Sequence, residues 1–194
     1  MAYKVAGIEE TIQFVLQTCL QAQTTDEIPN YPFLFWFDDL GKSSMISMLL
    51  ESGSVMLSGD RTQVQRKYKI RNGSNPLNSK TNVVYVDLLG AGLSGILKSN
   101  DSVSRDIKAT AQQISAFIDG FFQQLKCNGI RYYVAGRAYS SAALVEFASM
   151  SLPFPPKGLL LINGRFSPAS MISTISEHFY NLGLLDLQER MRAE

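Results

Sequence analysis

The chain has 194 residues, 45% of them hydrophobic and 18% charged, with a net charge of +1. The charged share lies below the roughly one quarter usual in soluble proteins, so this chain can build a sizeable core and has little charge for its surface. Its length suits one domain, and its near neutrality gives no electrostatic case for nucleic acid or an acidic membrane as a partner.

The N-terminus, MAYKVAGIEETIQF, carries charges where a signal peptide needs an apolar run, and no apolar stretch has the length of a bilayer span. Cys19 and Cys127 are too few for a disulfide framework and read as buried free thiols. The expectation is an intracellular protein, in the cytoplasm or an organelle such as the mitochondrion, rather than a secreted one.

In residues 3–22, polar and apolar residues partly alternate, which predicts strands with one face in a core. A polar loop, TTDEIPNYP, follows. Phe33-Leu34-Phe35-Trp36-Phe37 is unbroken apolar sequence, the pattern of a central strand covered on both faces. After Asp38-Asp39-Leu40-Gly41-Lys42, a helix is predicted with Ser43 or Ser44 as its cap, Met45, Ile46, Leu49 and Leu50 inward, and Gly53 as its stop. Residues 54–80 read as polar and irregular, with one alternating piece around Tyr68 and Ile70 and loop chemistry at Asn72-Gly73-Ser74-Asn75-Pro76. Asn82-Val83-Val84-Tyr85-Val86-Asp87 is a second buried strand, closed by Gly90-Ala91-Gly92.

The longest predicted helix covers 102–127. Val103, Ile107, Ala111, Ile114, Ile118, Phe121 and Leu125 form one apolar stripe, with Asp101 as cap and Asn128-Gly129 as stop. In residues 131–143, RYYVAGRAYSSAA, a buried strand (Tyr132 to Ala135) meets a sharp turn at Gly136 and a helix from about Tyr139. That helix turns Ala142, Leu144, Val145 and Phe147 inward and stops before Pro153. Gly158-Leu159-Leu160-Leu161-Ile162 is a further buried strand, and a last helix covers 169–180. With no repeats, low-complexity tracts or linkers, residues 1–194 read as one domain. Strands alternating with helices imply a mainly parallel sheet with helices on both faces.

The order of these motifs resembles the serine carboxypeptidase family. Its strand P-L-V-L-W-L and following N-G-G-P-G-C-S-S are similar to Pro32-Phe33-Leu34-Phe35-Trp36-Phe37 and Asp38-Asp39-Leu40-Gly41-Lys42-Ser43-Ser44, one residue shorter here. L-E-N-G-P is similar to Leu50-Glu51-Ser52-Gly53-Ser54. The family's run from N-P to V-L-Y-I-D and then G-T-G-F-S resembles Asn75-Pro76, Val83 to Asp87 and Gly90-Ala91-Gly92-Leu93-Ser94. The elbow G-E-S-Y-G-G matches Gly136-Arg137-Ala138-Tyr139-Ser140-Ser141. The family's L-K-G, G-N-G and G-L-I-D resemble Pro156-Lys157-Gly158, Ile162-Asn163-Gly164 and Gly183-Leu184-Leu185-Asp186. The resemblance covers most of residues 31–187 and implies an α/β-hydrolase fold, cut short at its C-terminal end.

The departures bear on chemistry. Acyl transfer needs a nucleophile, a base, a group that orients the base, and an oxyanion hole. The resemblance puts the nucleophile at Ala138, which has no nucleophilic atom. The acidic residue of G-E-S is Arg137. The N-G-G that serves the oxyanion and the substrate carboxylate has become Asp38-Asp39, whose charge repels both. The motif cysteine has become Lys42, so the family's disulfide there cannot form. The triad's aspartate and histidine lie beyond the matched part, and the single histidine, His178, falls on a helix before Gly183-Leu184-Leu185-Asp186. No catalytic, cofactor or metal residue is assigned.

Other chemistries are weaker. Ser140 as a shifted nucleophile would sit inside a helix without a base. Gly41-Lys42-Ser43 is similar to the end of a phosphate-binding loop, but the glycine required five residues before Gly41 is Trp36. No Cys/His cluster has metal-ligand spacing. The expectation is therefore an inactive serine-carboxypeptidase-like pseudoenzyme acting as a structural or interaction subunit among other protein subunits. The competing expectation is a binding protein that keeps a small ligand in the cleft near Ala138. An open cleft favours the second and a filled one the first. Arg137 is expected to pair with Asp38 or Asp39.

Overall fold

The structure, a computed structural model, describes residues 2–4, 11–59, 68–94, 103–104, 106–126 and 129–193. An unbroken apolar strand has no side to offer water, and the chain places Phe33–Phe37 inside one sheet, with a strand on either side. In chain order the strands are β1 (Ala2–Lys4), β2 (Thr11–Gln17), β3 (Phe33–Phe37), β4 (Val55–Gly59), β5 (Tyr68–Asn72), β6 (Asn82–Asp87), β7 (Tyr132–Arg137) and β8 (Leu159–Ile162). Six of them form a sheet in the order β1-β2-β6-β3-β7-β8. The pairings β6/β3, β3/β7 and β7/β8 are parallel, while β1/β2 and β2/β6 are antiparallel. All five residues of β3 and all six of β6 are buried. In β2 only Ile12 and Phe14 are, as expected of a strand with one covered face.

The helices are α1 (Ser44–Ser47), α2 (Ile107–Leu125), α3 (Ser140–Ser149), α4 (Pro168–Ser173), α5 (Ile175–Asn181) and α6 (Leu187–Ala193). On one sheet face, α2 and α3 bury Ile114, Phe117, Ile118, Phe121, Leu144 and Phe147 against Phe14, Phe33, Phe35, Val84 and Val134. Most of the ring pairs meet edge to face, with Phe35 and Phe121 centroids 5.2 Å apart. That is the arrangement the ring quadrupole prefers. The other face is covered by shorter pieces, with Met45 and Met48 over Leu34, Trp36, Val83 and Tyr85. Helices therefore lie on both faces, unequally.

Several expectations change. The helix after β3 is one short α turn that widens into a π-helical turn over Met48–Ser52. Its inward side is Ser44, Ser47 and Ser52, while Ile46 (49% exposed) and Leu50 (53%) face outward. Hydroxyls are needed inside because carboxylates and carbonyls lie beneath. Ser44 Oγ donates to Val86 O at 2.6 Å, and Ser52 Oγ meets Tyr85 Oη at 2.9 Å. The stretch read as irregular contains β4, which pairs with β5 in a separate antiparallel hairpin with little burial. Helix α2 begins at Ile107, capped by Asp106, whose side chain accepts from Ala109 N at 2.7 Å. Asp101, Cys127 and Asn128 lie outside the described residues. Val145 is exposed, and the last predicted helix is two, α4 and α5, divided at Thr174. Strand β8 is not a covered strand. It pairs only with β7 among the described residues, and its middle residues Leu160 and Leu161 are 41% and 36% exposed.

Two buried tyrosines give the fold an alkaline limit. Burial raises the hydroxyls of Tyr85 and Tyr132 above the ordinary tyrosine value, and the Asp119 carboxylate adds to the rise at Tyr132. A raised folded-state pKa gives stability that is complete below the unfolded value near about 10 and is lost as pH climbs past it. The urea midpoint should therefore hold between about pH 7 and 9 and fall above about pH 10. Tyr132→Phe should flatten that fall while costing about 1 kcal/mol at neutral pH, because Tyr132 Oη donates to Phe154 O at 2.6 Å. An alkaline limb unchanged in Tyr132→Phe would contradict the assignment.

Candidate functional site

The site forms where three neighbouring strands end. Strand β7 finishes at Arg137, Ala138 turns the chain with φ +50°, and α3 starts immediately after Tyr139. A left-handed φ costs a residue with a Cβ roughly 1–2 kcal/mol, and here the surroundings impose it. Ala138 N donates to Ile162 O at 3.0 Å, and Ala138 O accepts from Arg165 N at 3.0 Å. Gly136 leaves space beneath the turn, since a Cβ there would lie 2.6 Å from Leu144 Cδ1. The sharp strand–turn–helix expected from RYYVAGRAYSSAA is present, with a methyl group at its tip.

Opposite the elbow runs the loop 38–43 after β3. Its far end is tied down by Asp87, a fully buried carboxylate at the end of β6. Asp87 Oδ1 accepts from Ser44 N at 2.6 Å, and Oδ2 accepts from Ser43 Oγ at 2.7 Å and Leu93 N at 2.9 Å. Gly92, at φ +46°, must be glycine, because a Cβ would come 2.1 Å from Asp87 Oδ2. Asp38 is buried and accepts from the Ser47 hydroxyl and from Asp39 N. Its backbone O accepts from Ser140 Oγ, and Ser140 is itself fully buried.

Asp39 has a different role. Its Oδ1 accepts from Tyr139 N at 3.1 Å and from Leu40 N at 3.0 Å. In an α/β-hydrolase the oxyanion hole consists of the N–H of the residue after the nucleophile and an N–H from the loop after this strand. Here a carboxylate of the chain itself receives both kinds of donor. Its Oδ2 lies 3.4 Å from Lys42 Nζ.

Arg137 does not pair with Asp38 or Asp39. Its Nη1 donates to Glu51 Oε2 at 2.9 Å and to Ser47 Oγ at 3.2 Å. Asp38 is turned under α1 and Asp39 toward the amides, which leaves Glu51, one helical turn beyond Ser47, as the carboxylate in reach. Both side chains are substantially exposed, so the pair contributes under about 1 kcal/mol. The signal for Glu51 was present in Leu50-Glu51-Ser52-Gly53, but no spacing rule points from it to Arg137. Arg165, which sequence reasoning missed, lays its guanidinium 5.1 Å over the Tyr139 ring and has no carboxylate partner among the described residues.

Between the loop carrying Asp38, Asp39 and Lys42 and the wall carrying Arg137, Ala138 and Arg165 lies an open cleft of about 330 Å³. The described residues include no cluster of three or more metal-ligating side chains. No helix among them is long and apolar enough to cross a membrane. His178 sits on α5 with its ring beside Phe179, and Cys19 is a buried free thiol.

No family model matches the chain. It is 25% identical over 177 residues to "Probable serine carboxypeptidase CPVL" of Homo sapiens, covering 82% of this chain and 34% of that protein. It is 26% identical over 175 residues to the venom serine carboxypeptidase of Apis mellifera, with the same coverage. Among solved structures, the prohormone-processing carboxypeptidase Kex1(delta)p of Saccharomyces cerevisiae superposes with a TM-score of 0.73 at 18% identity, covering 91% of this chain and 39% of that one. A thermostable carboxyl esterase of Bacillus coagulans gives a TM-score of 0.54 at 13% identity, covering 94% of this chain and 50% of that one. Sheet, elbow and superpositions together define an α/β-hydrolase fold. Within that class the chain is similar to serine carboxypeptidases, and it spans about a third of the length of the curated relatives above.

The strain at the elbow is testable. Glycine accepts φ +50° without a Cβ penalty, which outweighs its greater freedom in the unfolded chain. Ala138→Gly should raise stability by about 0.5–1 kcal/mol in urea unfolding. A loss of stability would show that the turn is not under strain.

Proposed function

We propose that this chain is a non-catalytic relative of the serine carboxypeptidases that serves as an interaction subunit of a larger, intracellular protein assembly. One observation carries the association: β8 has no second neighbour among the described residues, and exposed apolar side chains lie on it and along the chain after it. Leu160 and Leu161 on β8 are followed by exposed Phe166 before α4, Ile172 on α4, Leu184 between α5 and α6, and Met191 on α6. Unpaired strand edges and contiguous apolar surface both favour association. Three features support the lack of peptidase chemistry. The elbow tip is Ala138, the amides suited to an oxyanion hold Asp39, and the hydroxyl of Ser140 is buried and donated to Asp38 O.

A second reading has its own observation. The cleft above Ala138 is open rather than filled by side chains, and charged groups line it. That favours a small polar ligand retained in the old site, and a thermal-shift screen of polar metabolites on the wild-type chain tests it.

The test of the first reading is the native mass of the untagged protein from its source, with mass spectrometry of what accompanies it. A salt-resistant assembly is expected, and Leu160→Asp with Ile172→Asp should release the chain from it. A soluble particle with the mass of one chain would sink the association. A serine-directed fluorophosphonate should leave the wild type unlabelled, and stoichiometric labelling at Ser140 would overturn the non-catalytic assignment.

A further inference from the structure

We infer that the cleft contains a carboxylate-binding site whose resident occupant is the chain's own Asp39, held there as a displaceable plug. The inference rests on the second reading above, in which the cleft takes a ligand, and names that ligand's chemistry. Two N–H groups from segments far apart in sequence, Tyr139 N and Leu40 N, converge on one oxygen of Asp39. Neither donor depends on the Asp39 side chain for its position. The elbow is fixed by the bonds of Ala138 to Ile162 and Arg165, and the loop by Asp38 N on Ser44 Oγ at 3.1 Å and by Asp38 O under Ser140. If Asp39 turns away, both donors stay in place beside an open cleft of about 330 Å³, free to take another acceptor.

The displaced carboxylate has somewhere to go. Lys42 already lies 3.4 Å from Oδ2 and is mostly exposed. The same cleft wall offers Arg165, a guanidinium with no carboxylate partner among the described residues, stacked on the ring of the residue that supplies one of the N–H donors. The site therefore suits a small monocarboxylate: one oxygen takes the amide pair, and the charge is met by Arg165. A tethered side chain competes at an effective concentration of order millimolar or above, so the wild-type cleft should bind free carboxylates weakly.

Acetate is the probe, with chloride at equal ionic strength as control, read by the amide resonances of Tyr139 and Leu40 in the whole chain. Asp39→Ala should bind acetate at least tenfold more tightly than wild type. Asp39→Asn, which keeps the acceptor, should behave as wild type. Acetate binding in Asp39→Ala no stronger than in wild type would overturn the plug. Phosphate binding more tightly than acetate would overturn the carboxylate class. If Asp39→Ala is unfolded in chloride, refolding by acetate alone supports the site, and failure to refold in either salt counts against it. A wild type that binds nothing in the metabolite screen, beside an Asp39→Ala chain that binds acetate, removes the ligand reading and leaves the plug standing.

Discussion

The Asp87 carboxylate is the interaction on which the geometry of the cleft depends. It is fully buried at the end of β6, yet its oxygens accept from groups on two other segments: Ser43 and Ser44 at the start of α1, and Leu93 in the turn that follows β6. A buried charge is tolerable only when such donors replace water. The backbone O of Asp87 extends the tie, because it accepts from Ser94 Oγ, which in turn accepts from Gln13 N on β2. One side chain thus sets where the loop 38–43 ends, and so where Asp38 and Asp39 stand relative to the elbow.

The elbow on the other side of the cleft is separable from the chemistry it serves elsewhere. Its left-handed residue is held by backbone bonds to the strand end at Ile162 and to Arg165, not by any side chain at position 138. A residue without a hydroxyl there costs the turn no bond. A carboxylate at Asp39 then meets amides that otherwise face open cleft, and it stabilises them. The polar groups around the cleft are largely consumed by one another: Asp38 with Ser47, Ser47 with Arg137, Arg137 with Glu51, Asp39 with Lys42. Arg165 stands outside this set.

What could be read from sequence follows the strength of the local signal. Phe33 to Phe37 and Asn82 to Asp87 were legible as central strands because no alternative buries such runs. The elbow was legible because Gly136 and the small residues after it leave few other conformations. The short helix after β3 misled, since an apolar pattern at Ile46 and Leu50 outvoted serines whose value lies in carboxylates distant in sequence. Strand β8 misled for a related reason: Leu159 to Ile162 is apolar enough for a central position, but sequence does not state how many neighbours a strand has. The partners of Arg137 and Asp39 were beyond reach because Asp38, Asp39 and Glu51 are equally good charges, and only the path of α1 chooses between them.

The strand order has a consequence for how the chain is made. Phe33 on β3 faces Asn82 on one side and Tyr132 on the other, so the most apolar strand finds its second neighbour only after most of the chain exists. At ribosomal speeds of about 5–20 residues per second, that leaves β3 without its second neighbour for roughly 5–20 seconds after it is made. The antiparallel contact of β2 with β6 also waits for residues well downstream. Folding therefore begins late and with nonlocal closures, which are slow steps. On the nascent chain, the apolar run Phe33 to Phe37 therefore waits for its second neighbour until β7 emerges.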